Sequence, residues 1–271
     1  MMFTVTEIYV YPIKGLGAVK LKKATVTETG FAYDRFWMLV DSDGECLTQR
    51  ESREMALFQI ELTDAGIQVS FRGESLFISN TAQETPEFME CHIWEDTVIV
   101  AKEPNTIAEW FSKQLRHQVF LVRMAPDSTR YVKRHAPSKV HFPDSSPFLV
   151  LGEASLELLN SKLEEPLSMD RFRPNIVFSG GQPHEEDDWQ KITIGESQLE
   201  STKLCARCTV TTINQQTAVK GEEPLLSLSK YRLIGRKIMF GHYFKAVETF
   251  GRQISVGDSI EVSHRKSQIL S

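Results

Sequence analysis

Cysteine is scarce in this chain: four residues in 271, of which only Cys205 and Cys208 stand close together. No second Cys-x-x-Cys and no His-x-x-x-His accompanies them. A structural zinc ion takes four protein ligands, so a zinc ribbon or finger is not supported. Long apolar runs are missing too, and nothing approaches the length of a membrane span. Residues 1–15 have no basic start leading into a long apolar stretch and a small-residue cleavage site, so no signal peptide is expected and the expected compartment is the cytoplasm. Basic residues are outnumbered, 31 Lys and Arg against 36 Asp and Glu, for a net charge of −5 and a pI near 5.9. That balance excludes a general nucleic-acid binder, which needs a broad basic surface. A local arginine cluster can still dominate one pocket. There is no P-loop pattern, hence no nucleoside triphosphate site, and there is no internal repeat or low-complexity tract.

What is present is an ordinary globular composition, 41% hydrophobic and 25% charged, long enough for one large or two modest domains. The first hundred residues carry short β-like runs at 4–11, 36–40, 58–62, 66–71, 75–78 and 97–100. Turn signals such as Asp41-Ser42-Asp43-Gly44 separate them. A helix is expected over 105–116, with Ile107, Trp110, Phe111 and Leu115 as its apolar face and Asn105 as N-cap. Residues 125–147, rich in Pro, Ser, His and basic side chains, read as a long functional loop or domain connection. A helix over 153–163 follows, then strands at 175–178, 191–194, 197–204, 209–213, 244–248 and 259–262, broken by a short helix near 224–231. Consecutive short strands with few crossover helices predict a mainly β fold with a few helices (α+β), built on antiparallel barrels, not a doubly wound sheet.

The chemistry concentrates in a few segments. In Leu204-Cys205-Ala206-Arg207-Cys208 an arginine lies between two thiols. The pair could be half a metal site, a dithiol switch, an incidental pair, or a single reactive thiolate whose pKa Arg207 depresses. Thr209-Val210-Thr211-Thr212-Ile213 favours a strand, which speaks against a thioredoxin-like helix start. Cys46 and Cys91 read as small apolar strand residues. Asp34-Arg35-Phe36-Trp37 and Asp170-Arg171-Phe172-Arg173-Pro174-Asn175 place arginines at strand entrances, where they can clamp an anion or simply pair with the neighbouring aspartate. Tyr11-Pro12-Ile13-Lys14-Gly15 is a glycine-containing loop whose amides and lysine could hold a phosphate. Asp144-Ser145-Ser146-Pro147 offers two hydroxyls and a carboxylate. Glu185-Glu186-Asp187-Asp188 reads as a solvated charge cluster. His135, His141, His184 and His242 show no metal-ligand spacing and read as surface or hydrogen-bonded histidines.

Taken in order, these segments and Phe240-Gly241-His242-Tyr243-Phe244 resemble the MOSC-domain proteins, most of all the branch of the mitochondrial amidoxime-reducing component and the bacterial YcbX-type proteins. The resemblance spans nearly the whole chain. It implies an N-terminal MOSC β-barrel domain over 1–122 and a MOSC domain over 123–271, with a molybdenum cofactor site between them. It implies that Cys208 coordinates molybdenum and that the pterin and its phosphate are held by Lys14, Gly15, Arg35, Ser145, Ser146, Arg173, Asn175 and Arg207. Asp144 would face the metal's open positions as a further catalytic residue. Gly15 stands where several relatives carry serine, which removes a hydroxyl but leaves a backbone amide. The implied activity is reduction of N-hydroxylated compounds. A sulfur or molybdenum-cofactor carrier without turnover is the alternative. The plant-type ferredoxin domain of some bacterial relatives is not expected here. A [2Fe–2S] cluster needs four cysteines, and Cys208 is already assigned. Electrons are therefore expected from a separate protein: a ferredoxin, a flavodoxin-like protein or a flavoreductase. No nucleic-acid or membrane partner is expected.

Overall fold

Strand Phe3–Val10 (FTVTEIYV) buries Phe3, Val5, Ile8 and Val10, the alternation of a sheet with one wet face shifted by one residue at an irregularity between Val5 and Glu7. Ile176–Ser179 is different. Ile176, Val177 and Phe178 are all buried, as expected of a strand covered on both faces. Both belong to a closed seven-stranded barrel in the computed structural model, which describes residues 2–132 and 138–266. Around the barrel the order is Phe148–Gly152, Ile176–Ser179, Phe3–Val10, Ser259–Arg265, Trp189–Ile194, Ser197–Ala206 and Lys237–Ala246, which closes back on Phe148–Gly152. The barrel is not a product of the C-terminal half alone, because Phe3–Val10 is one of its staves. Phe3, Phe31, Phe148, Phe178, Trp189 and Phe244 fill its interior. Phe3 meets Phe178 and Trp189 edge-on, at 5.9 and 5.0 Å between ring centroids.

The mainly β expectation holds, with one parallel pair among antiparallel neighbours. Val150 lies opposite Ile176 in a parallel ladder, and helix Glu153–Asn160 lies on the crossover between the two strands. Residues 37–124 build a second unit. A four-stranded sheet runs Trp37–Val40, Phe120–Met124, Asp96–Lys102, Phe88–Ile93. A three-stranded meander, Gln59–Thr63, Gly66–Phe71 and Glu74–Ser79, packs with helix Asn105–Leu115 over Trp37, Phe58, Phe71 and Phe111. Pro104, not Asn105, occupies the cap position of that helix. Cys91 is buried in a strand, and burial pushes the Cys46 and Cys91 thiols up to about 11 and about 12.

Other expectations are corrected. Residues 209–213 are not a strand. Thr209–Thr212 forms a 3₁₀ turn because the Thr211 and Thr212 hydroxyls donate to the carbonyls of Cys208 and Thr209, at 2.9 and 2.8 Å. Part of the expected 125–147 loop is a hairpin, Arg130–Val132 with Ser138–Val140. Arg130 anchors it on Asp96 at 2.8 Å and on the Pro143 carbonyl at 2.7 Å. The hairpin's tip, with His135, lies outside the described residues. The strand expected from 244 runs over Lys237–Ala246. Gly241, at φ +81°, interrupts its alternation and hid its first half.

The acidic cluster at 185–188 is not simply solvated. Glu186 is fully buried and accepts from the Ser155 hydroxyl at 3.2 Å. Asp187 pairs with Arg232, and Glu185 with Arg265. His242 is fully buried, with both ring nitrogens lacking a well-formed hydrogen bond and only the Glu186 carbonyl in loose reach. Burial holds it neutral, down to about 3. Burial, then the charge of Asp187, raises the Glu186 carboxyl from 4.5 to about 7. A folded-state pKa above the unfolded one means stability present below pH 4.5 and lost as pH rises through 7. The loss is on the order of 3 kcal/mol. Glu186→Gln therefore gains stability over the parent at pH 8.5 but not at pH 4.5, as measured by chemical denaturation. An equal difference at both pH values would refute this.

Candidate functional site

Two segments of the N-terminal third are zipped into one wall. Arg35 N–H donates to the Tyr11 carbonyl at 2.8 Å, Trp37 N–H to Pro12 at 3.0 Å, and Lys14 N–H to Trp37 at 2.8 Å. Asp34, 4% exposed, accepts the Tyr11 N–H at 2.9 Å and pairs with the Arg35 guanidinium. The backbone of Arg35 is forced to φ +49°. Gly15 sits at φ +84°, where glycine is at ease, and gives its carbonyl to Gln49 at 2.7 Å. Lys14 is buried, donating to the Phe142 carbonyl at 2.9 Å and pairing with Asp144.

The opposite wall comes from the barrel. The 3₁₀ turn Met169–Phe172 ends in Arg173 at φ +53°, directly before strand Ile176–Ser179. Asn175 is clamped on three sides. Its Oδ1 accepts from Arg35 and from Leu149 N–H, both at 3.1 Å, and its amide donates to the Tyr9 carbonyl at 3.2 Å. Arg35 and Arg173 each lie over the Tyr11 ring, both with Cζ 4.2 Å from the centroid. Arg207 donates to the Phe240 and Phe172 carbonyls at 2.8 Å, leaving Nη2 buried without a partner. Non-glycine residues held left-handed cost about 1–3 kcal/mol each and persist where surrounding structure over-determines them. Arg35 and Arg173 are both held that way here.

These walls enclose a cleft of about 880 Å³ including its open mouth. Lys14, Gly15, Arg35, Asp144, Ser146, Arg173, Asn175, Arg207 and Cys208 all line it. Ser145 is buried beside it, lining an adjoining cleft, and its Oγ has no partner. Ser146 is turned to Thr202, Oγ to Oγ1 at 2.6 Å. Burial raises the Asp144 carboxyl, but the Lys14 ammonium, Arg50 and the Trp94 N–H outweigh it and hold it at about 2. Asp144 is therefore an ionised acceptor at neutral pH and no proton donor. Burial lowers the Arg173 guanidinium to about 10, partly offset by Tyr11.

The charge beside the thiol is not the one expected. Arg207 points to backbone carbonyls. Arg50, from a remote segment, reaches Cys208 Sγ with Nη2 at 3.5 Å. Arg50 also lies on the Trp94 ring, 4.5 Å from its centroid. Trp94 occupies the first position of a two-residue hairpin turn at φ +58°, a place normally glycine's. A tryptophan there is the one sequence signal that could have marked this rim. Tyr243 and Arg171 also line the cleft unforeseen. Cys205 is buried, and desolvation raises its thiol despite the charge of Arg207. Of the cleft's six cations, only Lys14 and Arg35 have a carboxylate within ion-pair distance among the described residues.

A cleft with four guanidiniums that lack a carboxylate partner among the described residues suits a multiply anionic guest. Comparison with known proteins gives the family. The MOSC N-terminal beta barrel domain matches residues 2–118, and the MOSC domain matches residues 137–261. Mouse mitochondrial amidoxime-reducing component 1 is 33% identical over 95% of this chain and 81% of its own length. The chain belongs to the MOSC-domain family. Human mitochondrial amidoxime-reducing component 1 is 30% identical over 95% of this chain and 82% of its own length. Rice molybdenum cofactor sulfurase is 31% identical over 87% of this chain, which spans only 31% of that longer protein. In this MOSC chain no helix among the described residues is long and apolar enough to cross a membrane. No group of three or more His, Cys, Asp and Glu able to hold a metal occurs among them either.

Proposed function

We propose that this MOSC protein binds a molybdenum cofactor in the cleft and reduces N-hydroxylated compounds with electrons from a separate redox protein. The observation that carries the reading is the convergence in a single cleft of one solvent-reachable thiol, Cys208, with four arginines that lack a carboxylate partner among the described residues. The donor set fits the cofactor. Sulfur suits molybdenum, and the buried orphan Nη2 of Arg207 asks for an anionic oxygen. Arg173, Arg35 and Arg207 would hold the pterin phosphate, with Lys14, Gly15, Ser145, Ser146 and Asn175 shaping the pocket, and Cys208 would be the metal ligand. When bound, the cofactor supplies two-electron oxygen-atom chemistry. Reduction of an N-hydroxyl group consumes two electrons and two protons and releases water.

The chain's own residues orient and tune. Asn175 locks Arg35 against the barrel. Lys14 keeps Asp144 ionised at the mouth. Tyr243 is pushed well above its usual pKa by burial and by Cys205, so its hydroxyl keeps its proton at neutral pH. With Cys208 assigned, too few cysteines remain in this sequence for a plant-type cluster, so the electrons would come from a separate protein. Protein expressed in cells competent for molybdenum cofactor synthesis should carry about one molybdenum per chain. It should reduce benzamidoxime with a chemical reductant or a redox partner, and stay idle with NADH alone. Metal analysis showing no molybdenum, with a persulfide on Cys208 by mass spectrometry, would replace this reading with a carrier.

A further inference from the structure

A second cleft of about 1160 Å³, open mouth included, adjoins the first and shares Arg50, Trp94, Asp144 and Cys208 with it. The cofactor assignment makes no use of its outer part. That part adds Lys203 and Lys237. Its charge is one-sided. Arg50 and Lys237 face a single carboxylate, Asp144, which is already engaged by Lys14 and by the Trp94 N–H at 3.3 Å. Lys237 is exposed and has no carboxylate partner among the described residues. Trp94 supplies the aromatic surface. Its hydrogen bond to Asp144 and the guanidinium of Arg50 fix the ring, yet 52% of the residue stays exposed.

We infer that this cleft is the substrate's approach to Cys208, and that it selects planar N-hydroxylated compounds carrying an anionic substituent. The ring lies against Trp94. The anion is held at Lys237, on the side of the cleft that Lys203 also lines. A neutral ring would gain the stacking but leave Lys237 solvated and unused. The inference rests on the reductase reading and adds its substrate class.

The test uses the molybdenum-loaded protein and two probes that differ in one charge, benzamidoxime and 4-carboxybenzamidoxime. The parent should show a kcat/KM about tenfold higher for the carboxylate, the scale of one charge-assisted contact, carried by KM and eroded by 0.5 M salt. Lys237→Glu should collapse that ratio to about one or below, with Lys237→Gln in between. Calorimetric titration with 4-carboxybenzamidine and benzamidine gives the same comparison without turnover. Equal ratios in parent and Lys237→Glu, with both probes reduced, would overturn the substrate class and leave the reductase reading intact. Failure to reduce either probe would remove the reductase reading. Calorimetry would then decide the anion site, and equal binding of both amidines would overturn it.

Discussion

Cys208→Ala is expected to lose molybdenum and activity together. Bound metal should fall from about one atom per chain to background, and reduction of benzamidoxime by about 100-fold or more, because no other protein group can take over a thiolate's place on a soft-ligand site. The described residues offer no replacement. Cys205 is buried with its thiol raised by desolvation, and Cys46 and Cys91 lie in another core. Cys205→Ala is the control. It should cost some stability, since it removes a buried sulfur, yet retain metal. Metal analysis beside circular dichroism separates loss of ligand from loss of fold. Full molybdenum in the Cys208→Ala protein would show that the ligand lies elsewhere.

Arg173→Gly should separate stability from function in opposite directions. The residue sits at φ +53°, and its guanidinium is desolvated beside Arg35. Glycine relieves about 1–2 kcal/mol of left-handed strain. It also removes a buried cation whose neighbour is another cation. The cofactor-free protein should therefore melt at the same temperature or higher. Cofactor retention should fall by about tenfold to a hundredfold, the worth of one or two charge-assisted contacts to an anion of 1.5–3 kcal/mol each. Arg173→Met keeps the strain and loses the charge, so it should lose cofactor without the thermal gain. Cofactor retention unchanged in both variants would mean that Arg173 holds no anion.

Much of the site was legible because its pieces are short, local and chemically unusual. Arg35, Arg173 and Asn175 sit at strand entrances, and turn chemistry marks such places in one dimension. Arg50 and Trp94 were not legible. Their role arises from a contact of Arg50 with Cys208 across 158 positions of sequence, and Leu47-Thr48-Gln49-Arg50 reads by itself as an ordinary turn. The 3₁₀ turn after Cys208 was missed for a local reason. Threonine hydroxyls satisfied the backbone where β-propensity predicted a ladder. Glu186 was not legible because three acidic neighbours imply solvent, whereas the fold buries one of the four and ion-pairs Glu185 and Asp187 beside it.

The stave Phe3–Val10 lies between Ile176–Ser179 and Ser259–Arg265. One of the first strands to leave the ribosome therefore waits for one of the last before the barrel can close, an arrangement of high contact order and slow folding. Lys14 and Arg35 hang from that early strand, while Arg173 and Cys208 are synthesised much later. The two walls of the cleft meet only once Cys208 has been made, so a cofactor held between them would depend on most of this sequence.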